Sequence, residues 1–283
     1  DHLTNIAKKA EHEVKLDNGD VVLDIGCNDG TLLHSYATKG IKRIGIDPAR
    51  NVTLFAKKRG IKVINDFFNS LSFFRESKKK AKIITSIAMF YDLDDPNQFV
   101  SDIKKVLHKD GLWIMELSYL PMMLKQNSFD TICHEHLEYY ALDPIDFLLR
   151  NHKLEAIDVE FNRINGGSFR LYIMHRGRKM PSKSLLRTRK NEAKLNLLTE
   201  KPYRIFRKNI EKIRNELTVF IKSERKSGKK IYVYGASTKG NTILQFCNLD
   251  NRLIKAAADR NPDKWGKITP GTNIPIISEA EAR

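Results

Sequence analysis

Val21-Val22-Leu23-Asp24-Ile25-Gly26-Cys27-Asn28-Asp29-Gly30-Thr31-Leu32-Leu33 is the stretch that decides the fold. Its first five residues are a short apolar run of the kind that forms a buried strand, the glycines predict a tight bend, and Thr31-Leu32-Leu33 opens a helix. Glycines at such a bend let a ligand approach the backbone, and the helix N-terminus beyond them offers free N–H groups. The spacing is Asp-x-Gly-x-Asn-x-Gly, which departs from a dinucleotide fingerprint by placing an acid before the first glycine. A pyrophosphate would be repelled by Asp24, whereas a cationic ligand would be attracted.

Outward from this bend, Gly40-Ile41-Lys42-Arg43-Ile44-Gly45-Ile46-Asp47-Pro48 predicts a second strand ending in an acid, about twenty residues on, where a ribose diol is held in such folds. The two stretches together resemble motif I and the following acidic position of class I S-adenosylmethionine-dependent methyltransferases. That resemblance implies S-adenosylmethionine (SAM) as cofactor, with Asp24, Gly26, Asn28, Gly30, Asp47 and Pro48 around it. The alternative is a βαβ turn that holds no ligand.

The βα rhythm continues. Ile61–Ile64 is a third strand with Asn65-Asp66-Phe67-Phe68 at its carboxyl end, Lys82–Ile87 a fourth running into Ala88-Met89-Phe90-Tyr91-Asp92, and Leu112–Leu117 a fifth. Ligands of an open parallel sheet collect outside the carboxyl ends of its strands. By that rule Asp66 and Phe67 suit the adenine, and Ala88, Met89 and Tyr91 the reacting methyl; Phe67 and Phe68 also read as core, where one of two adjacent aromatics points inward. Lys153–Glu160 and Ser168–Met174, split by Asn165-Gly166-Gly167, are expected as an antiparallel pair closing a seven-stranded sheet.

Between the fifth and sixth strands, Phe129-Asp130-Thr131-Ile132-Cys133-His134-Glu135-His136-Leu137-Glu138-Tyr139-Tyr140 concentrates imidazoles, carboxylates, a thiol and phenols. Packing asks for none of these at such density, so the stretch reads as a place for proton transfer or metal binding. His134-x-His136 with Glu138 lacks a third distant ligand, and no metal is assigned. Cys133 has no evident activating partner and reads equally as packing.

Pro202–Lys226 predicts a long helix with apolar residues three and four apart and a basic opposite face. A strand–glycine–helix pattern restarts at Lys230–Tyr234, followed by Gly235-Ala236-Ser237-Thr238-Lys239-Gly240-Asn241-Thr242, and a further strand, Ile254–Ala258, ends in Asp259-Arg260. This predicts a second, smaller Rossmann-like unit whose turn carries hydroxyls and Lys239 where phosphates sit.

Four motifs, Asp24–Thr31, Phe129–His136, Gly166-Gly167-Ser168-Phe169-Arg170 and Tyr234–Thr242, occur here in the order found in sugar C-methyltransferases that act on nucleotide-activated keto-sugars, and the chain resembles that family over nearly its whole length. The resemblance implies an α/β protein: a class I methyltransferase domain with a Rossmann-like seven-stranded sheet and a smaller C-terminal α/β Rossmann-like domain gripping the nucleotide sugar. Domains are expected at 1–178 (methyltransferase), 179–228 (basic linker and long helix) and 229–283 (nucleotide-sugar binding). It also implies an N-terminal zinc-binding domain that this sequence lacks and a chain continuing past Arg283, so a core fragment binding no zinc is expected; the opening on Asp1 agrees. Family members on antibiotic sugars carry Tyr-His-Glu-His in place of Cys133-His134-Glu135-His136, and a His in place of Tyr91. By resemblance His136 is the base that takes a proton from carbon next to the ketone, Glu135 orients it or contacts the sugar, and Tyr91 or His134 donates to the developing enolate oxygen, with Cys133 beside them. Ser168, Arg170, Ser237, Lys239, Asn241 and Arg260 are the implied substrate-binding residues.

The bulk properties agree. The 283 residues carry a net charge of +16, and between Arg176 and Lys230 nineteen Lys and Arg face five Glu. Such a segment attracts polyanions or phosphorylated small molecules, and it motivates an RNA methyltransferase as an alternative; a non-catalytic nucleotide-sugar-binding module is another. Against RNA, Ser86-Ile87-Ala88-Met89-Phe90 lacks the Asn/Asp-Pro-Pro-Tyr of exocyclic-amine methylation. No apolar run approaches the ~20 residues needed to span a bilayer, and Cys27, Cys133 and Cys247 form no paired framework. A cytoplasmic monomer without a membrane partner is expected.

Overall fold

The computed structural model describes residues 2–283, which divide into two units. The first comprises residues up to Met122 together with Leu137–Leu195, and the second Met123–His136 with Asn196–Arg283.

In the first unit the order is α1 (His2–Glu13), β1 (Val21–Ile25), α2 (Thr31–His34), β2 (Lys42–Ile46), α3 (Arg50–Lys58), β3 (Lys62–Ile64), α4 (Ser70–Glu76), β4 (Ala81–Ile87), α5 (Pro96–Val106), β5 (Leu107–Ser118), α6 (Leu120–Gln126, which runs on into the second unit), α7 (Leu142–Asn151), β6 (Leu154–Asn162), β7 (Ser168–His175) and α8 (Lys183–Ala193). The strands make one seven-stranded sheet in the order β3-β2-β1-β4-β5-β7-β6. Neighbours from β3 to β5 pair in parallel, while β7 runs antiparallel to both β5 and β6. The expected antiparallel closing pair is thus present, with β7 inserted beside β5.

Apolar residues pack on both faces of this sheet. One face gathers Leu23, Ile84, Trp113, Phe90 and Phe99, and the other Val22, Ile83, Ile114 and the α1 residues Ile6, Ala7 and Ala10. Trp113 is wholly buried and its indole N–H donates to Ser86 Oγ at 2.9 Å, so the one polar atom of a large side chain is satisfied inside the core. β5 begins five residues earlier than its apolar run, because Lys109-Asp110-Gly111 forms an irregular lead-in: the register opposite β4 jumps from Ala81↔Leu107 to Ile83↔Leu112.

The segment expected to be linker is partly structural. α8 starts on the Ser182 cap, which accepts from Leu185 N, and its Arg189 forks onto Asp146 of α7 at 2.6 and 2.9 Å. The buried Glu192 accepts from Tyr119 Oη and from the N–H groups of Leu142 and Asp143, at 2.6, 2.8 and 2.7 Å. These bonds fasten α8 to the first unit, and the division of the chain falls after Leu195 instead of after residue 178. Truncating this carboxylate strands two buried donors, Tyr119 Oη and Leu142 N, each worth about 1–3 kcal/mol, and the part-buried Asp143 N. Glu192→Ala should therefore lower the thermal midpoint well beyond Glu192→Gln, read by calorimetry; equal midpoints for the two variants would contradict the role given to this anchor.

The second unit contains α9 (Lys201–Lys226), β8 (Tyr232–Tyr234), α10 (Thr238–Phe246), β9 (Ala256–Asp259), β10 (Ile276–Ser278) and α11 (Glu279–Ala282). β10, β9 and β8 lie side by side in parallel. Leu244, Cys247, Ile254, Ala257, Ile274 and Ile276 form its core with Ile221 of α9. The stretch Met123–His136 belongs here: the Phe129 ring lies 4.9 Å from that of Phe246 on α10, Arg214 of α9 lies over the same Phe246 ring at 5.4 Å, and Asn209 Nδ2 donates to Asn127 Oδ1 at 3.2 Å.

Candidate functional site

The first unit builds its candidate site at the point where strand order reverses, between β1 and β4, as the rule for open α/β sheets requires. Gly26 and Gly30, which follow β1, have φ of +75° and +78°, and Asn28 between them has φ of +50°. At Gly26 a Cβ would lie 3.4 Å from Met89 Cγ, so the loops that follow β1 and β4 touch here. At Gly30 a Cβ would collide with Ile61 Cδ1 at 2.5 Å and Ala56 Cβ at 2.9 Å; only glycine lets α2 start this close to α3.

Asp47, at the end of β2, holds this bend. Its Oδ2 accepts from Asn28 N at 2.9 Å and its Oδ1 from Ala49 N at 2.8 Å, while Gly26 N donates to Ile46 O at 2.8 Å. The carboxylate is thereby fixed, and each oxygen keeps acceptor capacity for a diol. Asn65 supports it from β3, donating to Asp47 O at 3.3 Å and Thr53 Oγ1 at 2.7 Å. Pro48 stands exposed beside it.

Asp24 behaves differently. Strand register sets it opposite Thr85, whose hydroxyl donates to Asp24 Oδ1 at 2.6 Å, and both are buried. Burial pushes the Asp24 carboxyl up to about 7; the Thr85 hydroxyl pulls it down and the Asp47 charge pushes it further up. Near neutral pH it is a poised acid that a neighbouring cation would ionise. Thr85 had no mark in the sequence beyond being a hydroxyl inside an apolar strand. Cys27, beside Gly45 where no Cβ fits, is buried and raised to about 12, first by burial and then by Asp24 and Asp47, so it is packing and not chemistry.

The raised acid makes a stability prediction. Neutral Asp24 suits its buried place, so its contribution is complete below the unfolded value of about 4 and is lost as pH rises through about 7. A displacement from the ordinary range to about 7 corresponds to roughly 4 kcal/mol at most. Ligand-free protein should melt lower at pH 8 than at pH 5.5, and Asp24→Asn should flatten that difference; an unchanged slope in Asp24→Asn would assign the dependence elsewhere.

At the end of β3, Asp66 Oδ1 accepts from Phe67 N, and the Phe67 ring is 75% exposed. Phe68 is the inward partner, packing edge-on against Phe99 at 5.1 Å. Ala88, with φ of +55°, donates its N–H to Glu116 O at 2.7 Å. Tyr91 is buried, and its carbonyl accepts from Leu137 N and Glu138 N at 3.0 and 3.1 Å.

Ser168 and Arg170, expected as substrate-binding residues, are both engaged inside the first unit. Ser168 is buried and donates to Ile164 O at 2.9 Å. Arg170 is buried in the sheet opposite Glu116, bonding Glu116 Oε2 at 2.7 Å and Glu160 Oε2 at 3.4 Å, with His2 on the other Glu116 oxygen at 2.6 Å. Its guanidinium neutralises two sheet carboxylates. The signal for this was Glu116, a lone acid inside the Leu112–Leu117 run.

The second unit repeats the first unit's device. After β8, Gly235 has φ of +96°, Ser237 caps α10 by accepting from Gly240 N at 3.1 Å, and Asp259 at the end of β9 accepts from Ala236 N at 2.8 Å, as Asp47 does from Asn28. Asp259 is held down at about 2 by the N–H groups of Asn261 and Ala236 and by Lys264. Lys239 is half-buried in the first turn of α10, and beside it Asn241 Oδ1 is buried with no hydrogen-bond partner among the described residues. Arg260 is exposed and engaged by Glu279 at 2.7 Å.

Cys133 and His136 are half-buried and His134 and Glu135 exposed; His136 N donates to Cys133 O at 3.2 Å, closing a turn over the four. Among the described residues no group of three His, Cys, Asp or Glu is arranged to hold a metal ion, and no helix is long and apolar enough to cross a membrane. On α9 several cations are answered within the helix, Arg204 by Glu200, Arg207 by Glu211 and Lys212 by Glu216, in the manner of a solvated face.

A glycine bend closed by an aspartate at the switch point of a seven-stranded sheet defines a methyltransferase domain, and residues 4–159 match the family model described by that name. Residues 163–283 match the model of the C-methyltransferase C-terminal domain. The chain belongs to the C-methyltransferases: it is 30% identical over 288 residues to C-methyltransferase NovU of Streptomyces niveus, covering 99% of this chain and 68% of that protein. Among solved structures, it is similar to a chain in the complex of the Haloferax volcanii Trm112 methyltransferase activator and the putative methyltransferase (TM-score 0.48, 15% identity, 60% of this chain and 88% of that one). Magnesium protoporphyrin IX methyltransferase (ChlM) from Synechocystis PCC 6803 with bound SAH is also similar (TM-score 0.48, 12% identity, 61% and 81%).

Proposed function

We propose that this C-methyltransferase is SAM-dependent and methylates the carbon next to the ketone of a nucleotide-linked keto-deoxysugar. The observation that carries the reading is the doubled device: one aspartate-closed glycine bend in the unit that also holds Asp24, and another in the unit that also holds the Cys133–His136 turn. The first suits a cationic nucleoside. Asp47 accepts the ribose hydroxyls, Gly26 leaves room for the amino-acid tail, Phe67 offers a ring to the adenine, and Asp24 ionises against the positive charge. SAM supplies an electrophilic methyl group. The second suits a nucleotide diphosphate, with Ser237 and the α10 N-terminus at the phosphates, Lys239 as counter-charge, Asn241 Oδ1 to accept from a ligand hydroxyl and Arg260 nearby.

In this reading the chain's own work is proton transfer and positioning. An imidazole can take up a carbon-bound proton acidified by the adjacent ketone, and that is the role of His136. Glu135 orients it or holds the sugar, and the Tyr91 phenol or His134 donates to the oxygen as negative charge builds there. Cys133 closes the turn, its carbonyl accepting from His136 N. The paired cations of α9 fit a solvated surface better than an RNA track. The test is product mass: one added methyl on a nucleotide-linked keto-sugar supports the reading, and methylated RNA without sugar product overturns it.

A further inference from the structure

A cavity of about 750 Å³ opens on the first unit and is lined by Lys80, Lys104, His108, Lys109, Lys153, His175, Arg176 and Arg178. These residues sit where β4, β5 and β6 begin and where the antiparallel β7 ends. The cavity therefore lies at the sheet edge opposite the carboxyl ends from which the Gly26, Asp47 and Ala88 loops depart. Its size is that of a small-molecule site.

The lining is built from tied backbone. Arg176 N donates to Lys153 O at 3.0 Å, His175 Nε2 bonds Leu107 O at 3.3 Å, and His108 Nδ1 accepts from Asp110 N at 3.2 Å. Lys153 itself has φ of +57°, a conformation that glycine or asparagine usually takes after a helix, so a lysine is kept here at a backbone cost. Of the six cations, Arg178 is answered by Asp110 at 3.4 Å; Lys80, Lys104, Lys109, Lys153 and Arg176 have no carboxylate within 4.0 Å among the described residues. Burial, and then the charges of Lys80, Arg178 and Lys104, hold the His175 imidazole below its usual range, as burial and Lys82 do for His108. In their uncharged form the two rings add no repulsion: His108, whose Nδ1 accepts from Asp110 N, keeps an Nε2–H to donate, while the single N–H of His175 is spent on Leu107 O.

Five uncompensated cations around one concavity repel each other, and the ligand that relieves this must bring several negative charges in a small volume. We propose that this cavity is a binding site for a small oligophosphate, a linear chain of two or three phosphates either free or carried by a nucleotide. Lysine ammonium groups act on such a chain as point charges, and Arg176 supplies planar pairing. Nothing in the proposal requires the methyl-transfer reading to hold.

The probe is inorganic tripolyphosphate, titrated into the full chain by calorimetry at about 0.1 M salt, with a nucleoside triphosphate and the parent nucleoside in parallel arms. Binding of tripolyphosphate is expected, weakened at least tenfold in Lys104→Gln/Lys153→Gln and further in Lys104→Glu/Lys153→Glu. Lys212→Glu, on exposed α9, is expected to leave it unchanged, and melting midpoints report that all variants fold. Tighter binding of the nucleoside triphosphate than of tripolyphosphate would identify the nucleotide as the source, and equal binding the phosphate chain alone. The proposal fails if tripolyphosphate does not bind at millimolar concentration, if the cavity variants bind it as the native chain does, or if those variants lose only binding to an RNA oligonucleotide.

Discussion

His136→Ala should lose methyl transfer to carbon by about a hundredfold to ten-thousandfold, the range a positioned acid–base group contributes, while binding SAM as the native chain does. The asymmetry follows from where the residue sits. His136 belongs to the second unit, in the turn closed by its own N–H on Cys133 O, whereas the aspartate-closed bend assigned to the cofactor belongs to the first. His134→Ala should cost less, because that ring is exposed and shares the donor role with Tyr91 in this account. The measurement is single-turnover methyl transfer alongside a cofactor titration. Comparable losses in both histidine variants with weakened cofactor binding would show that the turn serves structure and not proton transfer.

Asp47→Ala carries the second large effect, and it falls on binding. Its carboxylate accepts from Asn28 N and Ala49 N, so removal both loosens the glycine bend and deletes the diol acceptor. Hydrogen bonds to a charged group are worth about 1.5–3 kcal/mol each, which makes the expected loss of SAM affinity about tenfold to a hundredfold. Asp47→Asn keeps an oxygen for one N–H and should lie between. Asp259→Ala is the internal control: it breaks the matching bond to Ala236 N in the second unit and should leave cofactor affinity unaltered while weakening the nucleotide sugar.

Much of this was legible in the chain because the informative residues are local. Gly26, Gly30 and Asp47 announce a bend and its closing acid by spacing alone, and the structure joins them through the bonds that spacing implies. The strand rhythm through Leu117 and the antiparallel closure were legible for the same reason. What escaped notice depends on register. Arg170 reads as a substrate ligand until β7 is laid antiparallel to β5, which sets it against Glu116 and turns it into the core's counter-charge. Asp24 reads as a plain anion until β4 places Thr85 beside it and burial raises it. Glu192 lies in a run of cations that looks like linker, and only the three donors converging on it reveal α8 as part of the first unit. The Phe129–His136 stretch follows β5 in sequence, yet the Phe129 ring ties it to Phe246, more than a hundred residues later.

In the proposed reaction, methyl reaches carbon after a proton is taken from it. Supplying SAM labelled with carbon-13 in its methyl group, together with a nucleotide-linked keto-sugar deuterated next to the ketone, tests this in one spectrum. The expected product carries the label on a carbon–carbon bond at that position with one deuterium lost, and neither change occurs in His136→Ala. Label on oxygen or nitrogen, or no deuterium lost from the labelled position, would contradict it.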